Sequence, residues 1–352
     1  MKKAVATLAV LLIAVSILAG CSSNTPMIAK VGLGHITSVA KSTDLMVNED
    51  GSKTPPVGQV DTVIAAVAFD KDGKILKVTI DTAQSTVDFD EDLQVKSDLS
   101  ARGETKVELG SRYPLGKVSS IGKGWSEQVA ELENWMIGKT VTEVKGLKVK
   151  ERDATHKAVP DIPELIASVT ITVEDYVRAV EEAYENAFEV PKNAVTLGLG
   201  HEISVGKSRG YSLADGIQTL PSAQTDTVMT AVVFDKDGKV VRAIIDTAQT
   251  RVDFDKDGNI TTDLTVEPKT KVELGPAYGL TKVSTVNKDW FEQAAELEKW
   301  MAGKTVNQIT GLKVKQGDGT QSVPDVPELT SLVTISVHEY LAAVSEAFAN
   351  AK

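Results

Sequence analysis

The chain writes most of its sequence twice. Residues 61–84 read DTVIAAVAFDKDGKILKVTIDTAQ, and residues 226–249 read DTVMTAVVFDKDGKVVRAIIDTAQ. KVELG stands at 106–110 and again at 271–275, and Trp125 and Trp135 return as Trp290 and Trp300. ELIASVTITVEDY (164–176) returns as ELTSLVTISVHEY (328–340). A period this long exceeds the 20–50 residues of a solenoid unit and predicts a tandem of whole domains. A residue kept in both copies answers the same local constraint twice, which makes the repeat an internal filter for function.

The amino-terminal segment constrains location. Lys2 and Lys3 precede an apolar run that ends in Leu18-Ala19-Gly20-Cys21. A basic start, a short apolar stretch and small residues before a cleavage point read as a secretory signal. Leu-Ala-Gly-Cys resembles the bacterial lipobox, so Cys21, the single cysteine, is the expected lipidation site. The predicted division is a lipoprotein signal peptide at 1–20, a lipidated tether at 21–30, and two domains at 31–189 and 190–352. The expected location is the extracellular face of the cell membrane, held by a lipid anchor of several acyl chains, which grips far better than one. The net charge of −11 argues against nucleic acid, because phosphate binding needs a basic surface.

Each copy predicts an α+β domain, an antiparallel sheet with packed helices. Apolar runs at 62–69 and 75–80 flank Asp70-Lys71-Asp72-Gly73, a hairpin pattern repeated at Asp235-Lys236-Asp237-Gly238. A further strand is expected at 86–89 and 251–254, after Asp-Thr-Ala-Gln. Trp125, Val129, Leu132, Trp135 and Met136 fall on one helical stripe, ended by Gly138. A final helix is expected from Thr172 or Val173, with its twin from near Ser336, and Thr172 and Ser336 are the expected caps. Residues 190–193 read as the linker between domains.

Several segments offer chemistry. Asp81-Thr82-Ala83-Gln84 and Asp246-Thr247-Ala248-Gln249 are identical, and polar groups at a strand end either serve a site or bond the turn. Residues 253–260 resemble a calcium loop, but its twelfth position is Leu264 instead of a bidentate Glu, which leaves an acidic hairpin as the simpler reading. His35 and His201 recur in Gly-Leu-Gly-His, and the expectation there is a buried, satisfied histidine beside a glycine turn and not a ligand; no histidines pair at metal-ligand spacing, and no metal site is expected. Hydrolase or phosphate-loop motifs are absent, and no cysteine nucleophile remains. Thr170 and Thr334 lie just before a helix start, where free N–H groups and the helix dipole favour an anion such as a phosphate.

The ending Ser168-Val169-Thr170-Ile171, repeated as Ser331-Leu332-Val333-Thr334-Ile335 before the last helix, resembles the close of the FMN-binding domain family. Members of that family carry FMN through a phosphoester to the threonine of Ser-Gly-Ala-Thr, attached by a flavin transferase. Here the glycine is missing from both copies and the alanine is valine. With the lipobox, the tandem copies, Asp-Thr-Ala-Gln and the tryptophan helix, the chain resembles the peptide-pheromone-encoding lipoproteins of flavin-based extracellular electron transfer. That resemblance implies a tandem of two homologous FMN-binding-like domains and two covalent FMN per chain, on Thr170 and Thr334. It also implies Ser168, Ser331, Asp81, Gln84, Asp246 and Gln249 as cofactor-binding residues. Trp125/Trp290, Tyr113/Tyr278 and Trp135/Trp300 are ring-packing candidates. The implied partners are a membrane electron donor (a quinone or flavin reductase system) and a soluble flavin or metal acceptor. Residues 13–20 then resemble a secreted peptide pheromone. A covalent link suits a dilute extracellular cofactor, because even nanomolar affinity, about −12 kcal/mol, leaves a site that empties. The protein would be an electron carrier and not an enzyme. The alternative is a surface lipoprotein without redox function that binds a small solute or calcium.

Overall fold

The computed structural model describes residues 27–317, 319 and 321–352. Cys21, the signal segment and most of the tether lie outside the described residues. The fold is mixed α and β, with antiparallel sheets and helices packed on them. Among the described residues, no helix is long and apolar enough to cross a membrane.

Each half is built on a meander of three long strands. In the first half β1 (Lys30–Ser38), β2 (Val57–Phe69) and β3 (Ile75–Asp88) pair in the order β3-β2-β1. In the second half β4 (Thr196–Ser204), β5 (Ser222–Phe234) and β6 (Val240–Asp253) pair as β6-β5-β4. The predicted hairpin turns are present. Asp70 Oδ1 accepts the N–H of Asp72 and Lys74, and Gly73 supplies the φ of +77° that a side chain would resist. Asp235 and Gly238 repeat this arrangement.

Two helices cover one face of each sheet: α1 (Trp125–Met136) and α2 (Glu174–Glu185) in the first half, α3 (Trp290–Met301) and α4 (His338–Ala349) in the second. The predicted tryptophan stripe is α1, and Trp125, Val129, Leu132 and Met136 are buried. Trp135 is only half-buried, with the Lys139 ammonium 4.5 Å from its ring. Gly32 and Gly34 let α2 lie on the backbone of β1. A Cβ on Gly32 would fall 1.6 Å from the Ala183 carbonyl oxygen, and one on Gly34 would fall 2.1 Å from that of Ala179. Gly198 and Gly200 do the same for α4, with 1.8 Å to Ala347 O and 1.9 Å to Ala343 O. The Gly-Leu-Gly-His segments are therefore strand, and not the expected turn.

The opposite faces of the two sheets pack on each other. Val31, Leu33, Ile64 and Ala66 meet Leu197, Leu199, Met229 and Ala231 in one buried cluster. Farther along, Phe89 and Phe254 touch edge to face at 5.3 Å. Gly58 allows the closest approach: a Cβ there would lie 2.2 Å from that of Ala223. The layers thus run helix, sheet, sheet, helix. This explains why residues 64–69 of β2 and the whole of β5 are buried without alternation, since a sheet covered on both faces loses its polar face.

Other expectations change here. Asp-Thr-Ala-Gln lies in the middle of β3 and β6, not at a strand end, and 86–88 and 251–253 continue β3 and β6 instead of forming a further strand. Thr172 and Ser336 do not cap their helices: Val173 and Val337 hold the cap positions without a side-chain bond. Ile28, assigned to the tether, is 4% exposed and belongs to the core between the sheets. Val190, in the expected linker, packs against the same core.

Candidate functional site

The threonines of the repeated ending are held by a glutamine of the tryptophan helix. Gln128 is fully buried on α1. Its Oε1 accepts the Thr170 N–H at 2.8 Å and the Thr170 hydroxyl at 3.2 Å. Its Nε2 donates to the Lys123 carbonyl at 3.0 Å and to Ser119 Oγ at 3.2 Å. Gln293 repeats the clasp on Thr334, at 2.7 Å from its N–H and 3.2 Å from its hydroxyl. The amide group is thereby used on both sides, and the turn is tied to the start of the helix that forms the core. Tyr176 and Tyr340 complete the corner by accepting the indole N–H of Trp125 (2.8 Å) and Trp290 (3.1 Å).

Thr334 lines a cleft of about 390 Å³ together with Leu280, Val283, Lys315, Gln321 and Val323. That volume lies within the range of small-molecule sites. Lys315 puts a cation at the cleft, beside Asp325 at 3.2 Å. In the first half a cation also stands at the equivalent turn: Arg152 Nη1 donates to the Thr170 carbonyl at 2.8 Å. Both cations already have a carboxylate partner, Arg152 in Asp153 at 3.1 Å and Lys315 in Asp325. Glu174 and Asp175 occupy the first turn of α2, and Glu339 that of α4, and these carboxylates already complement the dipoles. Ser168 Oγ makes only a long contact to the Leu165 carbonyl at 3.4 Å, and Ser331 is exposed.

The Asp-Thr-Ala-Gln segments perform a different task. Asp81 Oδ1 accepts the N–H of Thr82 at 2.7 Å and of Val107 at 3.2 Å, and Asp246 accepts those of Thr247 at 2.6 Å and Val272 at 3.1 Å. They fix the short helical turns Lys106–Leu109 and Lys271–Leu274 to the sheet. Burial pushes both carboxyls up, against the pull of these bonds. Gln84 and Gln249 accept the hydroxyls of Tyr113 and Tyr278 at 3.3 and 3.1 Å. Asp246 and Gln249 do not line the Thr334 cleft, so the structure does not bring the two sets of predicted residues together there. In the acidic loop at 253–260, Asp255 Oδ1 accepts the N–H of Asp257 and Asn259, as a turn residue does.

The two recurring histidines gather what the sequence did not show. His35 faces Glu182 of its own half and Glu273 of the other, with Nε2 at 3.4 Å from each carboxylate. His201 bonds Glu108 of the other half through Nε2 at 2.9 Å, and its Nδ1 lies 3.2 Å from Glu346. Arg102 joins the second group, reaching Glu108 at 2.7 Å and Glu202 at 2.9 Å. Burial works against charge on both histidines, but the carboxylates outweigh it and raise both pKa values. Glu108, despite partial burial, is pulled down to about 2 by His201 and Arg102. Edge-strand geometry contributes: the free N–H of His35 and of His201 is taken by Glu182 Oε2 at 3.1 Å and Glu346 Oε2 at 2.9 Å.

Sequence reasoning missed Glu108, Glu273, Gln128 and Gln293, although each carries a cue. Glu108 and Glu273 close Thr-x-x-Glu capping boxes with Thr105 and Thr270. Gln128 and Gln293 are the polar residues kept inside an apolar helical stripe in both copies. No family profile, no curated protein and no solved structure matches the chain.

Proposed function

We propose that the chain is a tandem of two homologous FMN-binding-like domains that carries electrons outside the cell, with FMN esterified through its phosphate to Thr170 and Thr334. The observation that carries this reading is the duplicated clasp. In both halves a buried glutamine holds a half-buried threonine at a turn that also bears a cation, Arg152 at Thr170 and Lys315 at the Thr334 cleft. A guanidinium or ammonium is the partner a phosphodiester needs. The residues that would hold the group are thus the threonine hydroxyl, the neighbouring cation and, around Thr334, the apolar walls Leu280 and Val283. The flavin would supply the redox chemistry, and the protein attachment and electrostatics. In this reading Cys21 anchors the carrier beside a membrane quinone or flavin reductase system, and a flavin transferase matures it. Soluble flavin or a metal then takes the electrons, and the cleaved signal segment yields the pheromone.

Protein purified from its own bacterium should show yellow-green fluorescence in a denaturing gel and a mass two FMN adducts above the lipidated chain. Thr170→Val and Thr334→Val should each remove one adduct, and the pair both. A colourless native protein, or adducts that survive the double substitution, would overturn the reading. A colourless protein whose melting temperature rises with a small solute or calcium would favour the alternative of a binding lipoprotein.

A further inference from the structure

We propose that His35, Glu182 and Glu273 form a binding site for a divalent transition-metal ion of the zinc class, which ties the two halves of the chain together. The His35 side chain is 5% exposed, and neither of its ring nitrogens has a hydrogen-bond partner. A buried imidazole left in that state is costly unless something else engages it. Its Nε2 instead faces two carboxylate oxygens, Glu182 Oε1 and Glu273 Oε2, each at 3.4 Å. That separation exceeds an ordinary charge-assisted hydrogen bond. It matches the spacing between ligands on a tetrahedral ion: bonds of about 2.0–2.2 Å place neighbouring donor atoms roughly 3.3–3.6 Å apart.

The two carboxylates are each fixed by a backbone N–H, as metal-binding carboxylates usually are. Glu182 Oε2 accepts the His35 N–H, which leaves Oε1 turned to the ring. Glu273 accepts the Thr270 N–H at 2.8 Å within its capping box. All three residues offer donor atoms within 4.8 Å of one another. Glu273 is 39% exposed, which gives an ion a way in from solvent. One imidazole nitrogen with two carboxylates suits zinc, cobalt or manganese better than calcium or magnesium, which prefer all-oxygen sets.

The repeat supplies an internal control. Around His201 the same three residue types, Glu108, His201 and Glu346, also converge. There Arg102 provides the positive charge, and the two ring nitrogens turn to different carboxylates. The residue at the place of Arg102 in the second copy is Glu267, which turns to Arg178 at 2.7 Å. One cluster thus carries a guanidinium among its carboxylates, and at the equivalent place the other has a carboxylate turned to Arg178.

The test uses the mature chain, stripped with chelator and titrated first with Co²⁺ and then with Zn²⁺. One Co²⁺ per chain should bind, with visible absorption bands of low-symmetry coordination that Zn²⁺ abolishes, and Zn²⁺ should raise the melting temperature. Glu273→Gln keeps a capping residue at its position and should weaken binding by at least about tenfold. His35→Gln should do the same, whereas the twin substitution Glu108→Gln should leave stoichiometry and affinity as they were. Circular dichroism confirms that each variant is folded. Absence of stoichiometric uptake by the wild-type chain would overturn the proposal. So would uptake that Glu273→Gln and His35→Gln leave unchanged, or that Glu108→Gln reduces equally.

Discussion

His35 and His201 hold equivalent places in the two copies, on the outermost long strands, laid against a helix by the same pair of glycines, yet their surroundings differ. The ring of His201 is hydrogen-bonded and sits beside a guanidinium, with Glu108 held down to about 2. His35 has a carboxylate pair and no hydrogen bond from its ring. Two exchanges separate the surroundings: Arg102 stands where the second copy has Glu267, and its partner Glu202 stands where the first copy has Ile36. Two halves with the same strand and helix arrangement can therefore differ in chemistry through the charges set around one histidine. Each cluster also borrows a carboxylate from the other half, so neither is complete in one copy alone.

The largest expected effect breaks the shared scaffold. Gly34→Ala or Gly200→Ala forces a Cβ onto a helix carbonyl at 2.1 or 1.9 Å and should cost about 3 kcal/mol of unfolding free energy. Urea titration measures it. Equal losses in the two variants would show that the halves share the constraint, and a loss in only one would break the comparison.

Arg102→Ala sharpens it. The substitution leaves Glu108, Glu202 and Glu346 without their guanidinium and should destabilise the chain by about 2 kcal/mol, discounted for the partial exposure of this group. Added Zn²⁺ should recover part of that loss, because the second cluster then resembles the first. The recovery is read as a melting-temperature shift beyond that of the wild type.

The smallest effect is in the pH profile. A histidine whose pKa is raised on folding contributes stability below its unfolded value, about 6.5, and loses it as pH rises through the folded value. A glutamate lowered to about 2 contributes stability above its unfolded value, about 4.3, and loses it as pH falls towards 2. The Glu108–His201–Arg102 group, with Glu346 and Asp81 nearby, should therefore stabilise most between about pH 4.5 and 6.5. Under urea, wild type and Glu108→Gln should differ most in that window, by roughly 1 kcal/mol. A difference that stays flat with pH would remove the ion pair from the account.

Part of the site was legible in the sequence. The copies exposed Thr170 and Thr334, the tryptophan stripe, and His35 with His201. The same comparison contained Gln128 and Gln293, but a polar residue on an apolar stripe reads as exposed until its partners are known. The unbroken apolar run of β2 carried the mark of a sheet buried on both faces, which the hairpin reading passed over. In sequence the polar tetrapeptide Asp81–Gln84 resembles a turn at a strand end, whereas the pairing with β2 carries the strand straight through it.

The sequence by itself determined what depends on neighbours along the chain: the repeat, the Asp-Gly hairpin turns and the amphipathic helix. These follow from turn chemistry and from periods of 2 and 3.6, which span a few residues. Only the tertiary structure decided that two sheets share a core and that His35 meets Glu273 across the halves. Such contacts arise from the total apolar area the chain can bury, a quantity that no local pattern records.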